Sequence, residues 1–469
     1  MRNASSSTLG RILTVMLAPL ALVTGAGATT LEDSVRATLA TNPDIGVVQA
    51  DREAIDQELR QARAQYLPSI DLRGAVGPEY TNSPGTRRRS TRPPGGDSAT
   101  TLMRYESQIT LSQLLFDGFA TQSEIARQVS RIDSAAFRVQ EAAEFTALDA
   151  IEAHLEVLRN QLLVVLAREN LDEHLRILGL VRELEGEGAG SIADLRQTEA
   201  RIASAQTSLA TALGNLRDAE ALYIAVVGVP PEALEDPVVP FPAVPESQEA
   251  AAADAMVNSP TVLIATADID VAEAELRGSR AGNYPRFDLE LGAAANENLD
   301  GVKGGDVEAQ ALLVVRYNLF RGGADVARER EAFARLREAR EGLRQVQRDA
   351  AEEARIAYNA LQTAQARLEA LRAAVEAQRA TRDVYAQQFD LGQRSLLDLL
   401  DAENELFVAR SNLVTAQFTE IFGVYRVLAV TGDLLMTLDI DRPKESISIW
   451  RQRQEPVHER VPTIDGNPG

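Results

Sequence analysis

The sequence predicts a mainly α-helical chain, written as two copies of one structural repeat, in which each copy carries two β-strands that join a membrane β-barrel. Three observations lead there: a long internal repeat, four short runs of period-two alternation, and helical segments whose lengths match one another.

The repeat comes first. Asn42-Pro43 and Ser259-Pro260 are each followed 25 residues after the proline by a second proline, Pro68 in Tyr66-Leu67-Pro68 and Pro285 in Asn283-Tyr284-Pro285. Between the copies the offset is 217, which also pairs Asp71-Leu72 with Asp288-Leu289. Downstream it is 204, pairing Leu115-Phe116-Asp117-Gly118 with Leu319-Phe320-Arg321-Gly322, Gly188 with Gly392, Ser191 with Ser395, Asp194 with Asp398, Glu199 with Glu403 and Gly228 with Gly432. A register held this long marks a duplicated unit. The 13-residue difference places an insertion in the first copy, near Arg87-Arg88-Arg89 and Arg92-Pro93-Pro94.

Each copy reads as helix, strand, loop, strand, long helix, tight turn, helix. Residues 31–66 and 249–283 are Ala-rich and helical, ending where Pro68 and Pro285 break them. Strands are predicted over about 69–80, 103–115, 286–296 and 307–319, because apolar and polar residues alternate there and give each strand one face of each kind. A long helix follows over 120–186, where Leu148, Ile151, Leu155, Leu158, Leu162 and Val165 step by three and four as in a coiled-coil seam. The second copy has Tyr358, Leu361, Leu368, Leu371 and Val375 in the weaker equivalent. The tip turn of the first copy is 186–191, with Gly188 and the cap Ser191; that of the second lies near Gly392 and Ser395.

At 1.5 Å per residue the long helix measures about 99 Å, while helices 191–227 and 249–283 come to about 55 and 53 Å. Stacked end to end, the short pair matches the long one, and the proline-rich connector between them sits at mid-height. The object implied is a tall hollow rod with strands at one end and tight turns at the other.

Residues 1–28 carry Arg2 and Arg11, an apolar run and Ala26-Gly27-Ala28, the pattern of a secretory signal peptide. Repeats at 29–245 and 246–440 follow, then a polar tail over 441–469, predicted flexible. Beyond the signal segment no run of about 18 apolar residues predicts a spanning helix. The chain has no cysteine, which excludes disulfides, thiolate metal sites and a cysteine nucleophile. A formal charge of −21 argues against nucleic-acid binding. Four strands cannot close in lipid without unpaired backbone, two chains would give a side-chain-filled barrel, and three give twelve strands and a lumen.

These marks together resemble the TolC family of outer-membrane efflux and secretion proteins: the Asn-Pro helix start, the Tyr-Leu-Pro strand start, the Leu-Phe-Asp-Gly exit, and residues 391–402, Leu-Gly-Gln-Arg-Ser-Leu-Leu-Asp-Leu-Leu-Asp-Ala. The resemblance implies a homotrimer with a twelve-stranded barrel, a periplasmic α-helical tunnel, and a closed tip opened by an inner-membrane translocase. It is nearest to the branch serving type I secretion, whose partners are an ABC transporter and a periplasmic adaptor. A drug-efflux duct of the same architecture and a soluble periplasmic coiled-coil protein are the alternatives.

The resemblance also implies a gate at Arg394, Asp398 and Asp401, with Ala193 and Asp194 as first-repeat partners and Phe389 where the family often has tyrosine. Asp398 and Asp401 share one helical face, so a trimer would bring six carboxylates to its axis, as acidic rings do in cation pores. Ser191-x-x-Asp194 and Ser395-x-x-Asp398 also resemble capping boxes, so those two acids read either as helix caps or as gate residues, and the two roles are compatible. Asp401 has no such capping role, since its repeat partner is Gln197. Phe116, Gly118, Phe320 and Gly322 mark the strand-to-helix exits.

The glycine run at 186–190 lacks the order of a dinucleotide loop and reads as a helix end. His154, His174 and His458 lack metal spacing and read as solvated or interfacial, so neither metal nor cofactor is expected. No hydrolase, metalloprotease or P-loop pattern is present, which points away from an enzyme. The arginines of residues 87–92 fall in a loop predicted to face outside, either solvated or against lipid phosphates.

Overall fold

In the computed structural model, residues 29–84, 86, 99–188 and 190–449 are described. The signal segment, the arginine cluster at 87–92, His458 and the tail beyond residue 449 lie outside them.

In order, the elements are α1 (Leu31–Thr41), α2 (Pro43–Ala64), β1 (Ser69–Thr81), β2 (Thr100–Phe116), α3 (Ala120–Gly186), α4 (Ile192–Val227), α5 (Gln248–Asn258), α6 (Pro260–Ser279), β3 (Arg286–Glu297), β4 (Gly305–Arg316), α7 (Ala324–Asp390), α8 (Leu396–Thr431) and α9 (Leu434–Thr437). The helices expected over 31–66 and 249–283 are each two helices. Pro43 and Pro260 sit at first helical positions, where proline's missing N–H costs nothing, and Asn42 caps α2 by accepting the Asp44 N–H at 2.9 Å.

The four strands form one antiparallel sheet in the order β1-β2-β3-β4. Ser69 faces Ser112 across β1–β2, and Arg286 faces Arg316 across β3–β4. These are the same pair displaced by 217 on one strand and 204 on the other, so the sequence offsets predict the second hairpin's register from the first. One face carries Ile70, Leu72, Val76, Tyr105, Ile109, Leu291, Leu313 and Val315, while the other carries Arg73, Arg104, Glu106, Asp288, Glu290 and Arg316. Arg104 pairs with Glu79 and Glu106, and Arg316 with Asp288 and Glu290, so the polar face is a lattice of ion pairs. Strand β4 stops at Arg316, short of the expected 319.

Below the sheet, α3 and α7 are each 67 residues, about 100 Å at 1.5 Å per residue. The first half of α3 runs between α2 and α6: Arg131 pairs with Glu58 of α2, and Ser134 donates to Asp268 of α6 at 2.8 Å. Its second half lies between α4 and α8, where Arg410 of α8 meets Glu169 at 2.8 Å. The predicted seam of α3 holds through Leu158 and then fails. Leu162 and Val165 are exposed, and Val164, Leu166 and Ala167 are buried instead. A straight helix in a wall turns several faces toward neighbours along its length, so no strict heptad survives. In α7 the buried line is Ala350, Ala354, Ala357, Leu361, Ala364 and Leu368, with alanines where the sequence pointed to Tyr358.

Residues 229–247 pack beside the middle of the long helices: Thr29 makes a β-bridge to Leu234, and the Tyr358 hydroxyl donates to the Glu246 carbonyl at 3.2 Å. His154 is fully buried: its Nε2 lies 3.1 Å from the Glu235 carbonyl, and its Nδ1 lies 2.9 Å from Ser34 Oγ, which in turn is 2.9 Å from the Tyr223 hydroxyl. Burial pushes this imidazole's pKa down, which keeps it neutral, with Nε2 donating and Nδ1 accepting. His174 is also buried, bonded to the Asn170 carbonyl at 2.8 Å. The solvated reading of these two histidines is therefore corrected: each lies on a face of α3 that neighbours cover.

The start of the tail is ordered, contrary to expectation. Ser448 Oγ and the Ile449 N–H both donate to Asp133 Oδ1, at 2.8 and 2.7 Å, and Gln49 reaches Glu445 at 3.1 Å. Helix α8 is long and apolar enough to cross a membrane (mean hydropathy 1.3 over 18 residues), although its charged residues break up any continuous apolar run. Half of that stretch is buried against the chain itself, as in a core helix.

Candidate functional site

The two hairpin tips lie side by side. In the first, Gly188 takes φ 78°, and the Gly190 N–H closes the turn on the Leu184 carbonyl at 2.8 Å. Ser191 then caps α4, but its Oγ accepts from Ala193 N–H at 3.1 Å rather than from Asp194. Asp194 sits in the first turn of α4, where the helix dipole favours an anion. In the second tip Gly392 takes φ 70°, and the Gln393 N–H bonds the Gln388 carbonyl at 2.8 Å. Here the cap is reciprocal in side chains: Ser395 Oγ accepts from the Asp398 N–H at 3.2 Å and donates to Asp398 Oδ2 at 2.8 Å.

Arg394 stays within its own hairpin. Its Nε donates to Gln388 Oε1 at 3.2 Å, its guanidinium lies 3.9 Å from the centre of the Tyr385 ring, and Nη1 stands 3.7 Å from Asp398 Oδ2. Among the described residues no ion pair joins Arg394 to Asp194, although both line one cleft of about 580 Å³ between the tips, with Leu180, Leu184, Phe389 and Leu396. Phe389 packs against Ile177, Val181, Leu396, Leu399 and Leu400. The aromatic ring that Arg394 uses is Tyr385, one turn before Phe389, a partner the sequence reading did not name.

Asp401 is tied to Arg201 of α4, and this pair links the second hairpin to the first. Arg201 was also missed. The available signal was its place one turn after Gln197, the repeat equivalent of Asp401. A second unforeseen pair lies above it: Arg382 of α7 meets the buried Glu403 of α8 at 3.2 Å. Burial raises the pKa of Glu403 and Arg382 partly opposes that.

At the opposite end, the first strand exit is tightly built. Phe116 ends β2, Gly118 takes φ 69°, and Asp117 accepts the Thr121 N–H at 2.8 Å to start α3. A Cβ on Gly118 would stand 2.6 Å from the Ala281 carbonyl oxygen and 2.7 Å from Tyr284 Cβ. Phe116 packs on Tyr284 and Phe287, with ring centres 6.5 and 6.2 Å away. The second exit has the same backbone turn at Gly322 (φ 63°), yet nothing stands within 4 Å of its Cβ position, and Phe320 is 84% exposed.

The sequence matches the family described as outer membrane efflux protein over residues 35–228 and 251–418, one span in each repeat. The chain belongs to that family. Among its relatives, the outer membrane efflux protein BepC of Brucella suis is 25% identical over 378 residues, covering 80% of this chain and 79% of BepC. The proteases secretion protein PrtF of Dickeya chrysanthemi is 26% identical over 318 residues, 65% of this chain and 66% of PrtF. The fold is that of solved channels: the outer-membrane channel OprN aligns with TM-score 0.73 at 20% identity over 86% of this chain and 90% of OprN. CusC aligns with the same TM-score at 15% identity over 88% of this chain and 95% of CusC. The member of this family described here thus has the helical wall and four-stranded sheet of an outer-membrane channel subunit.

Proposed function

We propose that the chain is the outer-membrane subunit of a type I secretion duct, exported by its signal peptide and assembled as a homotrimer with a twelve-stranded barrel. A periplasmic adaptor and an inner-membrane ABC transporter would deliver polypeptide to the tip, and outer-membrane lipid would surround the barrel. The observation that carries the reading is the sheet: one face apolar and exposed, one face lined with ion pairs, and both edge strands unpaired among the described residues, on a helical wall about 100 Å tall. Such a sheet suits lipid outside and water inside only once its edges are closed by other copies. The name of PrtF favours protein cargo, while that of BepC favours the second reading, an efflux duct.

At the tip, Asp398 and Asp401 form the acidic ring. Arg394 and Phe389 hold the second hairpin in shape, Asp194 stands across the cleft, and opening separates Arg201 from Asp401. No cofactor takes part.

Reconstitution in planar bilayers tests both levels. Small cation-selective currents that lose selectivity in Asp398→Ala/Asp401→Ala support the duct and its gate. Unchanged currents would reduce the two aspartates to helix-end residues, and a detergent-independent protein giving no current would overturn the channel. Deleting the gene separates the cargo readings: loss of a secreted polypeptide supports secretion, and drug sensitivity alone supports efflux.

A further inference from the structure

We propose that residues 432–449 form a clasp, pinned to α3 at Glu144 and at Asp133, whose Glu144 pin is released as that carboxyl ionises. The clasp ties the end of the second repeat to the first, and its release frees the chain that follows α8 without unfolding the helical wall.

The lower pin is a carboxyl group shut away from water. Glu144 is 0% exposed, and the donors it accepts from belong to the segment: the Leu435 N–H at Oε2 and Arg442 Nη2 at Oε1, each at 3.2 Å. The same Arg442 nitrogen donates to the Gly432 carbonyl at 2.8 Å, so this pin also holds the turn that ends α8. At the upper pin Asp133 Oδ1 accepts from Ser448 Oγ and the Ile449 N–H, while Ile449 packs against Ile55, Leu59 and Ile132. Glu144 and Asp133 stand 11 residues apart on α3, about 17 Å at 1.5 Å per residue. Between the pins the segment borders a cleft of about 720 Å³, lined by Phe137, Gln140, Ile440 and Ile447. A strip of chain held at two points across a cleft can open locally while the long helices beneath it stay packed.

Two charged groups of the segment face Glu144. Arg442 favours its ionised form and Asp433 opposes it; Asp433 is itself pushed up by burial and by Asp254 of α5. Burial outweighs Arg442 and lifts the Glu144 pKa from 4.5 to about 7 in the closed clasp. Once the segment lifts, water reaches the carboxyl and the ordinary value returns. The closed clasp therefore keeps a proton that the open one gives up between pH 4.5 and about 7. Closure is strongest below that window, weakens through it and is weakest above it. Asp433 shifts in the same direction and adds to the effect.

Lysine makes the test specific. The chain has two, Lys303 in the loop between β3 and β4 and Lys444 in the segment, and both are exposed. A lysine-specific protease needs several extended residues, so it cuts after Lys444 only when the segment lifts, and Lys303 serves as the internal reference. In the detergent-solubilised full-length protein, cleavage at Lys444 relative to Lys303 should rise about tenfold from pH 6 to pH 8. Glu144→Gln, neutral at every pH, should lose most of that rise. Asp133→Ala should speed cleavage at Lys444 at both pH values and keep the rise. Helical circular dichroism should stay constant over the same range. A wild-type ratio that is flat with pH, or a rise as large in Glu144→Gln, overturns the release. An Asp133→Ala protein cut no faster overturns the two-point clasp, and a loss of helix in step with cleavage shows the wall unfolding in its place.

Discussion

Helices α3 and α7 are the same length and occupy equivalent places in the two repeats, yet thirty residues of α3 are buried and ten of α7. They share one face: Ala147, Ala150, Ala153, Val157 and Val164 in α3 correspond to Ala351, Ala354, Ala357, Leu361 and Leu368 in α7, all buried. The additional buried face of α3 holds Ile151, Leu155, Leu158 and Ile177. Its equivalents in α7 are Arg355, Asn359, Gln362 and Thr381. Near the tip that face of α3 meets α8 of the following repeat, and α7 has no following repeat within its own chain. The same fold position is therefore core in one copy and surface in the other, because burial is set by the neighbour rather than by the element.

That contrast breaks most sharply with Ile151→Ala, which should cost about 2–5 kcal/mol of stability. Arg355→Ala at the equivalent place should stay within about 0.5 kcal/mol. Urea unfolding followed by helical circular dichroism compares the two, and equal losses would mean the helices are not differently packed.

Glu144 sharpens the comparison by pH. It is fully buried, accepting the Leu435 N–H and Arg442 at 3.2 Å each, while its equivalent in α7 is the exposed Arg348. Burial pushes its pKa up from 4.5 to about 7, against the opposing pull of Arg442. The folded chain thus holds this proton more tightly than the unfolded chain. Its contribution is fully present below pH 4.5 and is lost as pH rises through about 7, a change of about 3 kcal/mol at 1.36 kcal/mol per pKa unit. Unfolding of the wild type and Glu144→Gln from pH 4 to 8 should show that slope in the former and its absence in the latter.

Smaller effects should separate the strand exits. Both Gly118→Ala and Gly322→Ala force an alanine into positive φ, costing about 1 kcal/mol. Only Gly118→Ala adds a clash with backbone, at the Ala281 carbonyl. Gly322→Ala should therefore cost less than Gly118→Ala, read as the smaller loss of stability in urea unfolding. Least of all in stability is Arg201→Ala, which breaks a half-exposed ion pair worth about 0–1 kcal/mol. Its effect should appear in conductance, as a tip that opens more readily.

Much of this was legible in the linear chain. The offsets, the strands and the tip glycines at Gly188 and Gly392 all rest on local rules: period two, period 3.6, proline and positive φ. The caps were legible in part, for Ser395 reaches Asp398 as the motif implies while Ser191 stops at Ala193. Arg201, Tyr385 and Arg382 were not legible as partners of the charged residues near the tip. Their meeting with Asp401, Arg394 and Glu403 depends on how helices lie side by side, and no spacing along one helix encodes that.

By itself the sequence determined the duplication, the alternation of strand faces and the register that links one hairpin to the other, since these follow from bonded neighbours and are repeated in the text of the chain. Only the tertiary structure decided which faces are core. It buried His154 and His174, exposed Leu162 and Val165, ordered the first residues of the tail on Asp133 and ended β4 at Arg316. Each of those outcomes turns on what stands across the gap, and the free energy of burying a side chain or pairing a strand belongs to both partners at once.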